Sequence, residues 1–397
     1  MIEYRVNTSS EIDIFNHLNK CSDSFVPELS TYVDIEKYSK KIYDNATRFE
    51  AYSDNELIGL IALYTNTDMT SFITNVSVIP LFQGTEVASK IFDNCKYHAV
   101  VNEYSVIKLE VKIDNNRAIK FYKNRGFIIT NTNNNHTMEL QLRNYNKELS
   151  DTNDHKYAYN FDFDVMHPYM IKSFKPFFKG GDVLELGSSK GDFTRRLFPY
   201  FKDITCVEAS SEAVGIMKSY LQQDFIKEFG DNIAIYNFTF EETKLPRKYN
   251  NIILTHVLEH IDDPVGLLKK INDEWLTDDG NLFITCPNAN APSRQIAVKM
   301  DLISHNSAIT PSEKEHGHRI TYTLDTLERD AKLSGLNVIH RSGIFFKALA
   351  NFQWDRLLET DIISKEYLDG CYELGQQYPD LCSSIMLVCK KKVKICI

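Results

Sequence analysis

Residues Val183 to Phe193 constrain the fold more than any other stretch of this chain. A short apolar strand, Val183 to Leu186, runs into a small-residue turn, Gly187 to Gly191, and then into the start of a helix. A second strand, Ile204 to Glu208, ends in a carboxylate about 20 residues after the turn, the spacing of a nucleotide-type site on a doubly wound sheet. Glycines there let a ligand approach the backbone closely. A carboxylate at the next strand end can accept two hydrogen bonds from ribose hydroxyls. Taken alone, this pattern also fits βαβ units that bind NAD.

Downstream, the pattern predicts strands at 182–187, 203–208, 233–238, 250–255 and 280–286, with helices at 191–200, 211–220 and 264–275. A helix at 324–334 then precedes strands near 337–346 and 383–391. Such alternation implies a mostly parallel sheet that binds ligands at the carboxyl ends of its strands. The glycine turn, Glu208, Glu241 and His256 all fall at such ends. The segment Asn144 to Asp154 is polar, rich in turn formers and without hydrophobic period. It places a domain boundary near residue 150.

The ordered set Glu185-Leu186-Gly187-Ser188-Ser189-Lys190-Gly191, Glu208 and Asn251 to Pro264 resembles the class I S-adenosylmethionine-dependent methyltransferases over about residues 155 to 393. The resemblance implies a Rossmann-like seven-stranded domain. Its donor would be held by Glu185, Gly187, Ser189 (where the family has its middle glycine), Gly191 and Glu208. Phe240 and Glu241 would lie at the adenine. Methyl transfer is an in-line displacement that asks the protein for positioning and, where needed, a base. His256, at a strand end, is the best-placed base. His260 resembles the histidine near the acceptor in ubiquinone-type O-methyltransferases. His318, in the cluster Glu315 to Tyr322, belongs to a pattern that recurs where the acceptor enters. His256 and His260 are otherwise read as capping or loop-satisfying residues. The pair His316 and His318 has no third ligand at a telling spacing, so no metal site is expected. The segment 287–323 reads as a long irregular insertion of the kind that forms lids. Arg341, Phe345, Phe346, Lys347 and Trp354 could floor an acceptor pocket, although aromatics at such spacing more often form core.

In the first half, the strand Val76 to Val78 leads into Pro80 to Ala88, which opens a helix carrying Ile91 and Phe92. The strand Val106 to Val111 leads into Asp114 to Phe127, a helix with an Asn start and a glycine stop. Together they resemble the GCN5-related N-acetyltransferase (GNAT) family over about residues 1 to 145. The resemblance implies a mixed α/β fold that binds the acetyl-coenzyme A pyrophosphate at a helix N-terminus. The implied cofactor residues are Val78, Gln83, Gly84, Ala88 and Asn115, with Tyr122 protonating the departing thiolate. The pattern departs at Glu86, where the family has an inner glycine and where a carboxylate would repel a pyrophosphate. It also departs on the fourth strand, where Asn75 stands in place of a carboxylate base.

The expected architecture is therefore α/β, with a GNAT-like domain at 1–146, a linker at 147–160 and a methyltransferase domain at 161–397. The expected function is a bifunctional transferase using S-adenosylmethionine and acetyl-coenzyme A. Its acceptor would be a small polar molecule, such as an amino sugar carried on a nucleotide or lipid. The alternative is a methyltransferase with a non-catalytic docking module. A net charge of −9 argues against general nucleic-acid binding. The basic run Lys390 to Lys394 reads as solvated charge. No apolar stretch reaches the roughly 18 to 20 residues that span a membrane. The eight cysteines are scattered without a C-x-x-C pair, and the chain reads as cytoplasmic.

Overall fold

The computed structural model describes residues 2–67, 69–151, 156–221, 226–227 and 232–392. Residues 152–154 of the polar joint, Val393 and Lys394 of the basic run, and Met1 lie outside the described residues. The chain divides into two units, Met1–Asn144 and Tyr145–Ile397.

The first unit is built on seven strands: β1 (Ile2–Val6), β2 (Thr47–Ser53), β3 (Glu56–Thr67), β4 (Thr70–Val78), β5 (Val106–Lys112), β6 (Ile128–Thr132) and β7 (Asn135–Gln141). Their spatial order is β1-β2-β3-β4-β5-β7-β6. Only β4 and β5 run parallel, bonded from Thr70–Val106 to Ile73–Leu109. That pairing stops where β4 is bulged: Ala62 and Leu63 of β3 face Asn75 and Ile73, leaving Thr74 unpaired. An extra residue bends its strand, and the bend parts the end of β4 from β5.

Helices α1 (Glu11–Cys21), α2 (Ile35–Asn45), α3 (Val87–Val101) and α4 (Asn116–Lys123) complete the unit. Ser10 and Asp13 form a reciprocal capping box on α1, and the Asn115 side chain accepts the Ala118 amide to cap α4. Two apolar clusters form the core: one contains Phe49, Ile61, Ile91, Phe92, Leu109 and Met138, the other Ile14, Leu18, Ile42, Leu60 and Ala62. Along β3, Leu60 and Ala62 fall into one cluster and Ile61 between them into the other, as the period of two requires.

The second unit carries β8 (Asp182–Leu186), β9 (Asp203–Glu208), β10 (Ile233–Asn237), β11 (Tyr249–Thr255), β12 (Leu276–Pro287), β13 (Leu336–Phe346) and β14 (Cys382–Lys391). The order is β10-β9-β8-β11-β12-β14-β13, and only the pairs made by β14 are antiparallel. Every residue of β8 is buried, as a central parallel strand covered on both faces should be. One face packs on a cluster containing Phe161, Phe174, Phe193 and Phe201, the other on one containing Leu258, Leu268, Trp275 and Leu327.

Three expected elements differ in detail. The helix expected at 191–200 spans only Asp192–Leu197, stopping short of Pro199. The segment expected to be irregular, 287–323, contains helices Pro292–Lys299 and Pro311–Glu315, the latter with a Thr310–Glu313 capping box. Phe345 and Trp354 pack on Phe161 inside the core, while Arg341 pairs with Asp325 and Glu328.

Candidate active sites

In the second unit, β8 delivers Gly187, Ser189 and Gly191 to a turn in which all three have positive φ, 74°, 48° and 92°. A side chain at Gly187 would place its Cβ 2.4 Å from a Val257 methyl, and one at Gly191 would meet Leu221 Cδ2 at the same distance. The turn is thus a cradle that side chains would fill. Ser189 tolerates the left-handed conformation because its amide donates to Glu208 Oε2 at 2.8 Å. The other oxygen of Glu208 accepts the Ser210 amide at 2.8 Å. Each oxygen keeps a lone pair for a hydroxyl. Burial raises the Glu208 carboxyl against the pull of these amides.

Glu185 lies beneath the turn, fully enclosed, with Thr194 Oγ1 donating to it at 2.5 Å. Burial pushes its carboxyl up to about 7. The turn after β10 is clamped by Lys270, whose ammonium donates to the carbonyls of Phe240, Glu241 and Thr243 at 2.8, 3.0 and 3.2 Å. This fixes Phe240, half-buried against the core, and Glu241, exposed. Asn237 Nδ2 ties β10 to the Glu208 and Ala209 carbonyls.

His256 follows β11 with φ 53°, and its Nε2 shares a hydrogen bond of 3.0 Å with Ser384 Oγ. Burial, His318 and Lys347 together push its imidazole down to about 4, so it is neutral at pH 7. His260 and His318 meet edge to face, ring centres 4.5 Å apart. Together with the buried Glu259, their ligand atoms all lie within 4.8 Å of one another. Sequence reasoning paired His318 with His316. The fold instead turns His316 toward the Glu148 carbonyl, to which its Nδ1 donates at 3.2 Å.

The junction of the expected domains also meets this region: Asn146, expected at the end of the first domain, accepts Ser210 Oγ on its Oδ1 at 2.8 Å, beside Glu208. Tyr157 packs edge-on against His316. Its phenol is raised by burial, then by the charges of Glu208, Glu259 and Glu148. The signal in the sequence was the aromatic series Tyr157, Tyr159, Phe161, Phe163, which a solvated linker has no reason to carry.

In the first unit, the carboxyl end of β4 and the first turns of α4 line a cavity of about 170 Å³. Its lining includes Val78, Gln83, Gly84, Ala88, Asn115 and Tyr122. Arg117 stands at the same cavity and donates to Gln83 Oε1 at 2.8 Å, while Gln83 Nε2 donates to the Val78 carbonyl at 3.0 Å. Glu86 is not among the lining residues; it pairs with Lys90, one helical turn on, at 3.2 Å. Tyr122 is buried among Phe121 and Phe127, and burial raises its phenol, so it stays protonated at neutral pH. Asn75 and Ser77 on β4 form a neutral network with His17, whose Nε2 lies 2.8 Å from Ser77 Oγ. Burial pushes His17 down to about 4.

A family model described as the acetyltransferase (GNAT) family matches residues 12–127, and one described as a methyltransferase domain matches residues 162–341. A curated relative, (S)-coclaurine N-methyltransferase of Thalictrum flavum subsp. glaucum, is 28% identical over 110 residues. That match takes in 26% of this chain and 28% of the relative's length. Among solved structures, an S-adenosylmethionine-dependent methyltransferase from Clostridium acetobutylicum superposes at TM-score 0.37 and 12% identity, over 58% of this chain and 93% of that one. An N-acetyltransferase from Thermoplasma acidophilum, solved with coenzyme A, superposes at TM-score 0.31 and 17% identity, over 36% of this chain and 99% of that one. The chain joins a GNAT-family acetyltransferase domain to a methyltransferase domain with the seven-stranded Rossmann-like fold.

Proposed function

We propose that the second unit transfers a methyl group from S-adenosylmethionine, and the first an acetyl group from acetyl-coenzyme A, to small polar acceptors. The observation that carries the reading is Glu208, a buried carboxylate at a parallel strand end, bonded to the amide of a positive-φ turn. Bound there, S-adenosylmethionine supplies a methyl group on a positively charged sulfur. The chain's part is then positional. Glu208 accepts the ribose hydroxyls, the bare backbone of Gly187 to Gly191 admits the amino-acid end, and Phe240 and Glu241 border the adenine. His256, His260 and His318 stand on the acceptor side. A neutral His256 accepts a hydrogen bond from the acceptor and holds it in line.

For the first unit, the support is the cavity at the carboxyl end of β4 with Gln83, Gly84, Asn115 and Arg117 around it. Acetyl-coenzyme A supplies a thioester, and Tyr122, held protonated, donates to the leaving thiolate. A second reading keeps this unit as a docking module, favoured by the neutral Asn75–Ser77–His17 network where an acidic base would stand. An amino sugar of a surface polysaccharide or secondary metabolite is the acceptor we favour, since one such molecule offers both an amine and hydroxyls. The seven cysteines among the described residues are all free, which suits a reducing cytoplasm. No helix among the described residues is long and apolar enough to cross a membrane.

Incubation with labelled S-adenosylmethionine, then with labelled acetyl-coenzyme A, against a panel of nucleotide-linked amino sugars tests the reading. Transfer of both labels is expected. Transfer of the methyl label alone would favour the docking module.

A further inference from the structure

Burying a carboxylate is unfavourable unless a cation or several donors compensate it. Glu259 is 2% exposed, and its Oε2 has no hydrogen-bond partner. No ion pair to it occurs among the described residues. What stands beside it is a pair of imidazoles, His260 and His318, each with a ring nitrogen within 4.8 Å of the carboxylate and of each other.

We propose that Glu259, His260 and His318 bind a divalent transition-metal ion, with Zn²⁺ the best match to their donors. Two imidazole nitrogens and one carboxylate oxygen form a borderline set that favours Zn²⁺ and its first-row neighbours over Mg²⁺ and Ca²⁺, which want oxygen. The ligands come from two places that the fold locks together. Glu259 and His260 lie on the turn after β11, His318 on the loop before helix Leu324–Leu333, and the Arg319 amide donates to the Glu259 carbonyl at 2.7 Å.

A cation held by three protein ligands keeps a position open. Resting on the methyltransferase reading, that position would take an oxygen of the acceptor and lower its pKa.

The test uses the tag-free full-length chain, stripped with chelator, titrated with Zn²⁺ by calorimetry and with Co²⁺ by visible absorption. One equivalent of Zn²⁺ should bind at micromolar affinity or tighter, with the intense Co²⁺ bands of a low-coordinate N/O site. Glu259→Gln and His318→Asn should each weaken binding by 10-fold or more, with unfolding temperature and S-adenosylhomocysteine affinity as checks on folding. Should Glu259→Gln fail to fold, His318→Asn, in a loop, carries the test. Absence of one-equivalent binding, or binding unaltered by the variants that fold, overturns the site. If S-adenosylhomocysteine binds and Zn²⁺ does not, the metal site alone falls. If Zn²⁺ binds and S-adenosylhomocysteine does not, the methyltransferase reading falls and the site stands.

Discussion

The amide of Ser189 and the carboxylate of Glu208 meet at 2.8 Å, and this bond joins the two halves of the proposed donor site. It fixes the glycine turn against the end of β9 and holds Ser189 at a φ of 48°, a conformation serine rarely adopts. Under the proposed function the same carboxylate would accept the ribose hydroxyls, so that one residue would both shape the cradle and contact the donor.

Replacing Glu208 by Ala should therefore weaken S-adenosylhomocysteine binding by roughly 100-fold or more, since hydrogen bonds to a charged group contribute about 1.5–3 kcal/mol each. Calorimetric titration reads this directly. Unchanged affinity would mean that the ribose lies elsewhere.

Ser189→Gly relieves the left-handed strain while leaving the amide in place. Its unfolding free energy should rise by up to about 1 kcal/mol, with ligand affinity retained. Gly187→Ala should do the reverse, because its Cβ would lie 2.4 Å from Val257 Cγ2. Denaturant midpoints of the two variants should move in opposite directions.

Glu185 makes stability depend on pH. Burial moves its carboxyl from 4.5 to about 7, so the native state holds a proton that the unfolded chain has lost in that interval. The native state binds more protons there, and stability falls as pH rises from 4.5 to 7, by on the order of 3 kcal/mol at most. Glu185→Gln, which can still accept the Thr194 hydroxyl, should remove that portion of the slope. Urea midpoints at pH 5 and pH 8, in chelator, compare the two proteins. Glu259, raised in the same direction, remains in both and cancels.

The acetyltransferase unit separates three residues by their positions. Glu86 pairs with Lys90 and does not line the cavity, so Glu86→Gly should leave coenzyme A affinity unchanged. Arg117→Ala should weaken it several-fold, more so at low salt. Tyr122→Phe should lower kcat with KM retained, as loss of a proton donor at the leaving group requires. A change in KM alone would make Tyr122 a packing residue.

Much of this was legible locally. The strand–turn–helix from Val183 to Phe193, the capped helix beginning at Asn115 and the strand-end position of Glu208 depend on short-range pattern, and the fold contains them. The bulge at Thr74 depends on how β3 and β4 pair, which no single strand encodes. The Glu259–His260–His318 group is likewise tertiary: its third member comes from a loop 58 residues beyond His260 in sequence. Phe345 and Trp354 have the same spacing whether they line a pocket or fill a core, and only packing distinguishes the two.

The most direct measurement is a double calorimetric titration of the full chain with S-adenosylhomocysteine and with acetyl-coenzyme A, repeated on Glu208→Ala and Arg117→Ala. Two independent micromolar sites should appear, the first abolished only by Glu208→Ala and the second weakened only by Arg117→Ala. No binding of S-adenosylhomocysteine to a folded chain, or binding indifferent to Glu208→Ala, would contradict the central claim.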